Sequence, residues 1–187
     1  MKRITWWPQL WLGLTFNWAV LVAYAAKTGT LNPPLLILYA GLIFWTVGYD
    51  TIYACQDIED DMKIGVKSTA RRFGKRIKLG VGINYLIAIL LMWVAISITP
   101  LNNAQLDLNG WSSNKVPKNA GIYFSFLLGI IIIPMAIHLL VQVLLFNPRD
   151  GEASLKIFKS NLFAGLLFPS GLLILCLFFI IPNLTPS

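Results

Sequence analysis

Charge is scarce in this chain. Only 12% of its 187 residues are Asp, Glu, Lys or Arg, against roughly 25% in soluble globular chains. So few charges cannot cover a water-exposed surface. Together with 57% hydrophobic residues and a mean hydropathy of +0.69, this excludes a soluble domain and leaves an integral membrane protein. Cysteine is nearly absent: Cys55 and Cys176 form no Cys-x-x-Cys pair and no disulfide framework. Histidine occurs once, as His138 within an apolar run. No zinc or haem site is readable, and His138 is read as a neutral residue of helix packing. Acid is the next rarity. There are eight carboxylates, Asp50, Asp57, Glu59, Asp60, Asp61, Asp107, Asp150 and Glu152, and the first five fall between positions 50 and 61. A membrane chain that gathers its acids so tightly has built a site there.

What is abundant is apolar sequence. A bilayer crossing needs about 20 predominantly apolar residues, and five runs qualify, at about 6–26, 33–55, 79–99, 120–146 and 162–182. The fourth carries Pro134 as a kink. None shows the alternation of a membrane barrel strand. The expected class is all-α, a polytopic transmembrane helix bundle forming one membrane domain over 1–187. The first run follows Lys2 and Arg3 like a signal peptide, but Pro8, Gln9 and Asn17 interrupt it and it is too long, so a retained helix is expected. Residues 102–119 read as an outer polar loop, and 154–160 as a short interfacial helix with Leu155 and Phe158 toward lipid.

Basic residues orient the bundle. Lys2 and Arg3, then Lys63, Lys67, Arg71, Arg72, Lys75, Arg76 and Lys78, then Arg149, Lys156 and Lys159 all fall on one side, against Lys27, Lys115 and Lys118 on the other. The N-terminus and the 56–78 loop are therefore expected in the cytoplasm of a bacterium, at its inner membrane, or in the matrix of a mitochondrion. The net charge of +7 is explained by these flanking cations and anionic lipid, so no nucleic-acid partner is expected.

The acidic segment reads as the helical end of the second span running into that loop. Asp57 and Asp61, four apart, share one helix face, and Asp50 lies two turns deeper on the same stripe. Like charges one turn apart repel, and a divalent cation offsets this. Mg²⁺ takes one or two carboxylates and completes its shell with waters and substrate phosphates. Lys63, Lys67, Arg71 and Arg72 follow within a few turns, so the segment suits a Mg²⁺-bound diphosphate at a membrane surface.

The stretch Tyr49-Asp50-Thr51-Ile52-Tyr53-Ala54-x-Gln56-Asp57-x-x-Asp60-Asp61-x-x-x-Gly65-Val66-Lys67-Ser68-Thr69-Ala70-x-x-Phe73-Gly74 resembles the second aspartate-rich motif of UbiA-type membrane prenyltransferases, most closely the 4-hydroxybenzoate polyprenyltransferase branch. Lys2-Arg3-x-Thr5-x-x-Pro8-Gln9-x-x-Leu12-Gly13 is similar to the family's cationic approach to its fifth helix, and Leu155-x-x-Phe158-x-Ser160-Asn161 to the loop before its last helix. The resemblance implies transfer of a polyprenyl group from polyprenyl diphosphate to the ring of 4-hydroxybenzoate in ubiquinone biosynthesis, with Mg²⁺. It implies Asp57 and Asp61 as metal ligands with Asp50 one step deeper, Lys67, Lys63 and Arg71 near diphosphate, and Arg3 on diphosphate or the acceptor carboxylate. Tyr49 and Tyr53 are the pocket aromatics nearest these acids. Arg71 and Arg72 depart from the apolar pair usual before Phe73-Gly74.

The family's first motif, N-D-x-x-D-x-x-x-D, is absent from these residues, and five spans match helices five to nine of the family's nine. The chain is expected to be a C-terminal portion, inactive or nearly so alone, with the N-terminal half as a partner in addition to the lipid bilayer. Other readings are a prenyltransferase acting on a naphthoate, haem or chlorin acceptor, a small cation transporter using Asp50 and Asp57, and a non-catalytic assembly partner.

Overall fold

Long apolar runs punctuated by Pro and Gly should give helices and little else, and they do. The structure is a computed structural model and describes residues 1–102 and 129–180. Every regular element among the described residues is helical, a bundle of the kind that spans membranes. Pro8–Thr28, Pro33–Tyr53 and Thr69–Ile98 are long and apolar enough to cross a bilayer, and Gly129–Leu145 is a shorter apolar helical stretch. Outside the described residues lie 103–119 of the expected outer loop, 120–128 of the fourth span and the end of the fifth.

The first span is two helices, α1 (Pro8–Phe16) and α2 (Trp18–Thr28), joined at Asn17. The Asn17 amide donates to Gly13 O at 2.8 Å and to Thr46 Oγ1 at 2.9 Å. A side chain that competes for its own helix's carbonyls bends the helix, and this one also ties the bend to the next span. That span is α3 (Pro33–Tyr53), whose start is set by Asn32 accepting from Leu35 N at 3.0 Å with Pro33 in the first turn. Two short helices follow, α4 (Ile58–Lys63) and α5 (Thr69–Phe73), then a 3₁₀ turn (Gly74–Arg76) leading into α6 (Ile77–Asn102). The chain re-enters the described region at 129 and forms α7 (Ile133–Leu145) and α8 (Gly151–Ile180).

α3 is the central helix and packs most extensively on α6. Small residues permit this closeness, as membrane helices require. A Cβ at Gly48 would overlap the Tyr85 ring, and one at Gly41 would stand 3.0 Å from the Met92 side chain and 3.2 Å from Ala88 O. The buried core runs from Ile52 and Val81 through Ala88 and Met92 to Met135, Leu139 and Ala164. Outward faces carry exposed apolar side chains such as Phe16, Leu86, Leu144 and Leu162, the surface that lipid covers.

The last helix differs from expectation. Residues 154–160 are not a separate interfacial helix; they are early turns of α8. Phe158 does not face lipid either. Its ring lies 4.8 Å from that of Tyr53 and 5.9 Å from that of Tyr49. Polar side chains of this stretch bond within the helix and the turn before it. Ser154 Oγ donates to Asp150 O at 2.8 Å, and Asn161 Nδ2 donates to Phe158 O at 3.1 Å.

Candidate functional site

The segment between α3 and α6 lies at one end of the bundle, together with the start of α1, the end of α7 and the start of α8. Thr69 N donates to Gln9 Oε1 at 3.2 Å, and Lys78 Nζ to Leu144 O at 2.8 Å. The three aspartates do not lie on one continuous helix. α3 stops at Tyr53, and residues 54–57 form turns in which the N–H groups of Cys55, Gln56 and Asp57 bond three residues back. A residue in such a turn advances about 120° instead of 100°, so four of them rotate α4 by roughly 80° relative to α3. Asp57 and Asp61 stay one turn apart, with Asp61 N on Asp57 O at 2.7 Å; Asp50 leaves their stripe.

α4 is closed by a Schellman arrangement. Gly65, at φ +73°, follows the helix, with Gly65 N on Met62 O at 3.3 Å and Val66 N on Asp61 O at 3.0 Å. Only glycine takes that φ without strain, which accounts for Gly65 in the motif. Ser68 then caps α5, its side chain accepting from Arg71 N at 3.3 Å. Thr69 is fixed from two sides, by the buried Gln9 amide and by Thr51, whose Oγ1 is 2.6 Å from Thr69 Oγ1. These bonds hold the loop against α1 and α3.

The Asp61 side chain is 6% exposed and pairs with Lys2, whose Nζ lies 3.2 Å from both carboxylate oxygens. Lys2 also carries the loop on its backbone: Lys67 N donates to Lys2 O at 2.7 Å. The Arg71 guanidinium donates to Asp61 O at 3.0 Å and to Val66 O. Its centre is 5.6 Å from the Trp6 ring, and Lys67 Nζ, which donates to Ile4 O at 3.2 Å, is 5.9 Å from the same ring. Asp57 precedes α4 without capping it.

Of the residues singled out from sequence, Asp61, Lys67 and Arg71 therefore meet at one place. Lys63 does not join them: it pairs with Asp60 at 2.9 Å on the exposed side of α4, an arrangement that raises its pKa through the hydrogen bond and charge of Asp60. Arg3 is exposed beside Lys2 and makes no hydrogen bond or ion pair among the described residues. Tyr49 and Tyr53 line the α3 face toward α8, in a row of rings that begins at Trp45, 5.5 Å from Tyr49, and ends on Phe158.

Lys2 and Gln9 stand in the N-terminal motif, but nothing in the sequence assigns either of them a partner. Their partners are 59 and 60 residues away, beyond any local spacing rule. A second cluster was also missed. Tyr85 OH donates to Gln142 Oε1 at 2.8 Å and lies 3.4 Å from Asn161 Oδ1, which accepts from Trp45 Nε1 at 3.1 Å. Gln142 Nε2 donates to Ser160 Oγ at 2.9 Å and is 3.2 Å from His138 Nε2, itself 3.1 Å from Ser160 O. His138 thus has partners, in keeping with a packing role. The available signal was polar side chains inside apolar spans, which in membranes face other helices.

Among the described residues, no three His, Cys, Asp or Glu side chains gather into a metal cage. Mg²⁺ asks for less, since it commonly uses one or two carboxylates and completes its shell with water and phosphate. Asp57 and Asp61 are two carboxylates one helical turn apart, and the ammonium on both Asp61 oxygens marks a place where positive charge is already stabilised.

Comparison with known proteins gives a consistent result. The model of the UbiA prenyltransferase family matches residues 1–168. The chain is 37% identical over 176 residues to the mitochondrial 4-hydroxybenzoate polyprenyltransferase of Drosophila melanogaster, covering 93% of this chain and 39% of that protein. It is 34% identical over 176 residues to the 4-hydroxybenzoate octaprenyltransferase of Tolumonas auensis, covering 94% and 54%. With its counterpart in Aliivibrio fischeri it shares 36% over 165 residues, covering 88% and 50%. The chain spans about half or less of the length of these relatives. No solved structure gives a significant match.

Proposed function

The chain belongs to the UbiA prenyltransferase family, and from that premise we propose that it carries the diphosphate-holding side of a site that transfers a polyprenyl group from polyprenyl diphosphate to the ring of 4-hydroxybenzoate, in ubiquinone biosynthesis. The observation that carries the reading is the meeting of Asp61, Lys2, Lys67 and Arg71 on one short, tightly braced loop at the end of an apolar bundle. Asp57 and Asp61 would hold Mg²⁺. When bound, the ion neutralises charge that builds on the diphosphate as its C–O bond breaks.

The chain's own residues do the rest. Lys67 and Arg71 give the loop a positive face, and the Arg71 guanidinium is anchored by the Asp61 and Val66 backbone carbonyls. Arg3, exposed and unengaged among the described residues, is available to the diphosphate or to the acceptor carboxylate. The Tyr49, Tyr53 and Phe158 rings offer π faces to positive charge on the allylic carbon as the diphosphate departs. The polyprenyl tail lies in the bilayer, and the protein sits in the inner membrane of a bacterium or a mitochondrion. Acceptor choice within the superfamily is assigned to 4-hydroxybenzoate because the relatives are named for it. The cation-transporter alternative draws no support, since residues 54–57 turn Asp57 away from the Asp50 stripe.

The family's other aspartate-rich motif is absent from this sequence, so the decisive experiment supplies it. The chain is co-expressed with the N-terminal half of a bacterial 4-hydroxybenzoate octaprenyltransferase. Membranes are then given Mg²⁺, geranyl diphosphate and a panel of aromatic acids. Prenylated 4-hydroxybenzoate should form only when both parts are present, and should be lost with Asp61→Asn in this chain. Product that is indifferent to Asp57→Asn and Asp61→Asn, or that forms on a naphthoate instead, contradicts the reading.

A further inference from the structure

Lys2 occupies an unusual position. Its ammonium is equidistant, at 3.2 Å, from the two Asp61 oxygens, on the bisector where a cation shared by both oxygens sits. The Asp61 side chain is 6% exposed while that of Lys2 is 42% exposed, so the ammonium is the more solvent-accessible member of the pair. The Lys2 backbone is fixed, because its carbonyl accepts from Lys67 N at 2.7 Å. Its side chain is held at the tip by the ion pair alone and has four rotatable bonds on which to leave.

We propose that Lys2 is a built-in competitor for the divalent cation at Asp61, holding the carboxylate in place until the metal displaces it. A dication bound to Asp61 and an ammonium on the same two oxygens would repel across a few ångströms, so the two occupy the carboxylate in turn. The buried carboxylate needs such an occupant, because a buried charge without a partner is strongly disfavoured. Lys2 keeps the Asp61 carboxylate oriented at a cost in metal affinity. The inference rests on Asp61 being a metal ligand, and its test separates the two ideas.

The test titrates Mn²⁺ into the purified chain in detergent, following free ion by electron paramagnetic resonance, with no diphosphate present. Lys2→Gln removes the competitor and should tighten Mn²⁺ binding about fivefold, the worth of a partly exposed but well-oriented ion pair. Lys2→Arg keeps the charge and should bind Mn²⁺ much as the unaltered chain does. A second readout uses the unaltered chain: the Lys2 amine, probed with an acylating reagent and mass spectrometry, should become more reactive as Mg²⁺ saturates. Mn²⁺ binding lost in Asp61→Asn yet no tighter in Lys2→Gln, or Lys2 reactivity indifferent to Mg²⁺, overturns this inference alone. Mn²⁺ binding that ignores Asp61→Asn overturns it together with the site assignment.

Discussion

Replacing Tyr85 by Phe removes one hydroxyl from the centre of the bundle, and the consequences can be worked through atom by atom. Tyr85 is 3% exposed, and its OH is the donor to Gln142 Oε1, on a residue equally buried. Without it that oxygen has no donor among the described residues, whereas Asn161 Oδ1 keeps Trp45 Nε1 and Gln142 Nε2 keeps Ser160 Oγ. Orphaning a buried acceptor costs about 1–3 kcal/mol in water-soluble proteins, but interhelical bonds in membranes average about 0.6 and reach about 1.7 kcal/mol. The expected loss is therefore about 1–2 kcal/mol. Gln142→Leu should cost less through this bond, because Tyr85 OH can turn to Asn161 Oδ1, 3.4 Å away, and Ser160 Oγ still donates to Ile157 O at 2.7 Å. With both changes present no acceptor is orphaned, so the double-mutant cycle should show a coupling of about 1 kcal/mol. Reversible unfolding of the purified chain in mixed micelles, followed by tryptophan fluorescence, measures all four species. Tyr85→Phe within about 0.3 kcal/mol of the parent, with additive effects in the cycle, would refute the assignment of this hydrogen bond.

Three further outcomes are expected. Gly48→Ala places a methyl group on the buried Tyr85 ring and should destabilise the bundle by about 1–3 kcal/mol through overpacking, read in the same unfolding assay. Gln9→Leu takes the acceptor from Thr69 N and should cost about 1 kcal/mol; limited proteolysis should show faster cleavage between α4 and α5. Asp60→Asn, whose carboxylate is 79% exposed and pairs with Lys63, should leave Mn²⁺ binding within about twofold of the parent, in contrast to Asp61→Asn.

The sequence makes the helices plain because apolar length is a one-dimensional property: Pro33–Tyr53 and the start of α6 at Ile77 fall within two residues of the runs that predict them. The break at 54–57 is not plain. Ala54-Cys55-Gln56 contains no glycine or proline, and the helix tightens there through backbone bonding that no residue type announces. The continuity of α8 was hidden for a different reason. Ser154, Ser160 and Asn161 look like surface residues until their partners on α3, α6 and α7, in the turn before α8, or on α8 itself, are known. The aspartates were legible as a group because they are adjacent in sequence. Lys2 was not, because an ion pair closed across 59 residues leaves no local trace. His138 shows the same limit, since its neighbours Gln142 and Ser160 are a turn away and on another helix respectively.

The account stands on the loop between α3 and α6 being a metal-dependent diphosphate site. Isothermal titration of the purified chain with geranyl diphosphate, with and without Mg²⁺, tests this without requiring turnover. Binding should depend on Mg²⁺ and be abolished by Asp57→Asn and by Asp61→Asn. Binding of equal strength without Mg²⁺, or unaltered in both variants, would contradict the account.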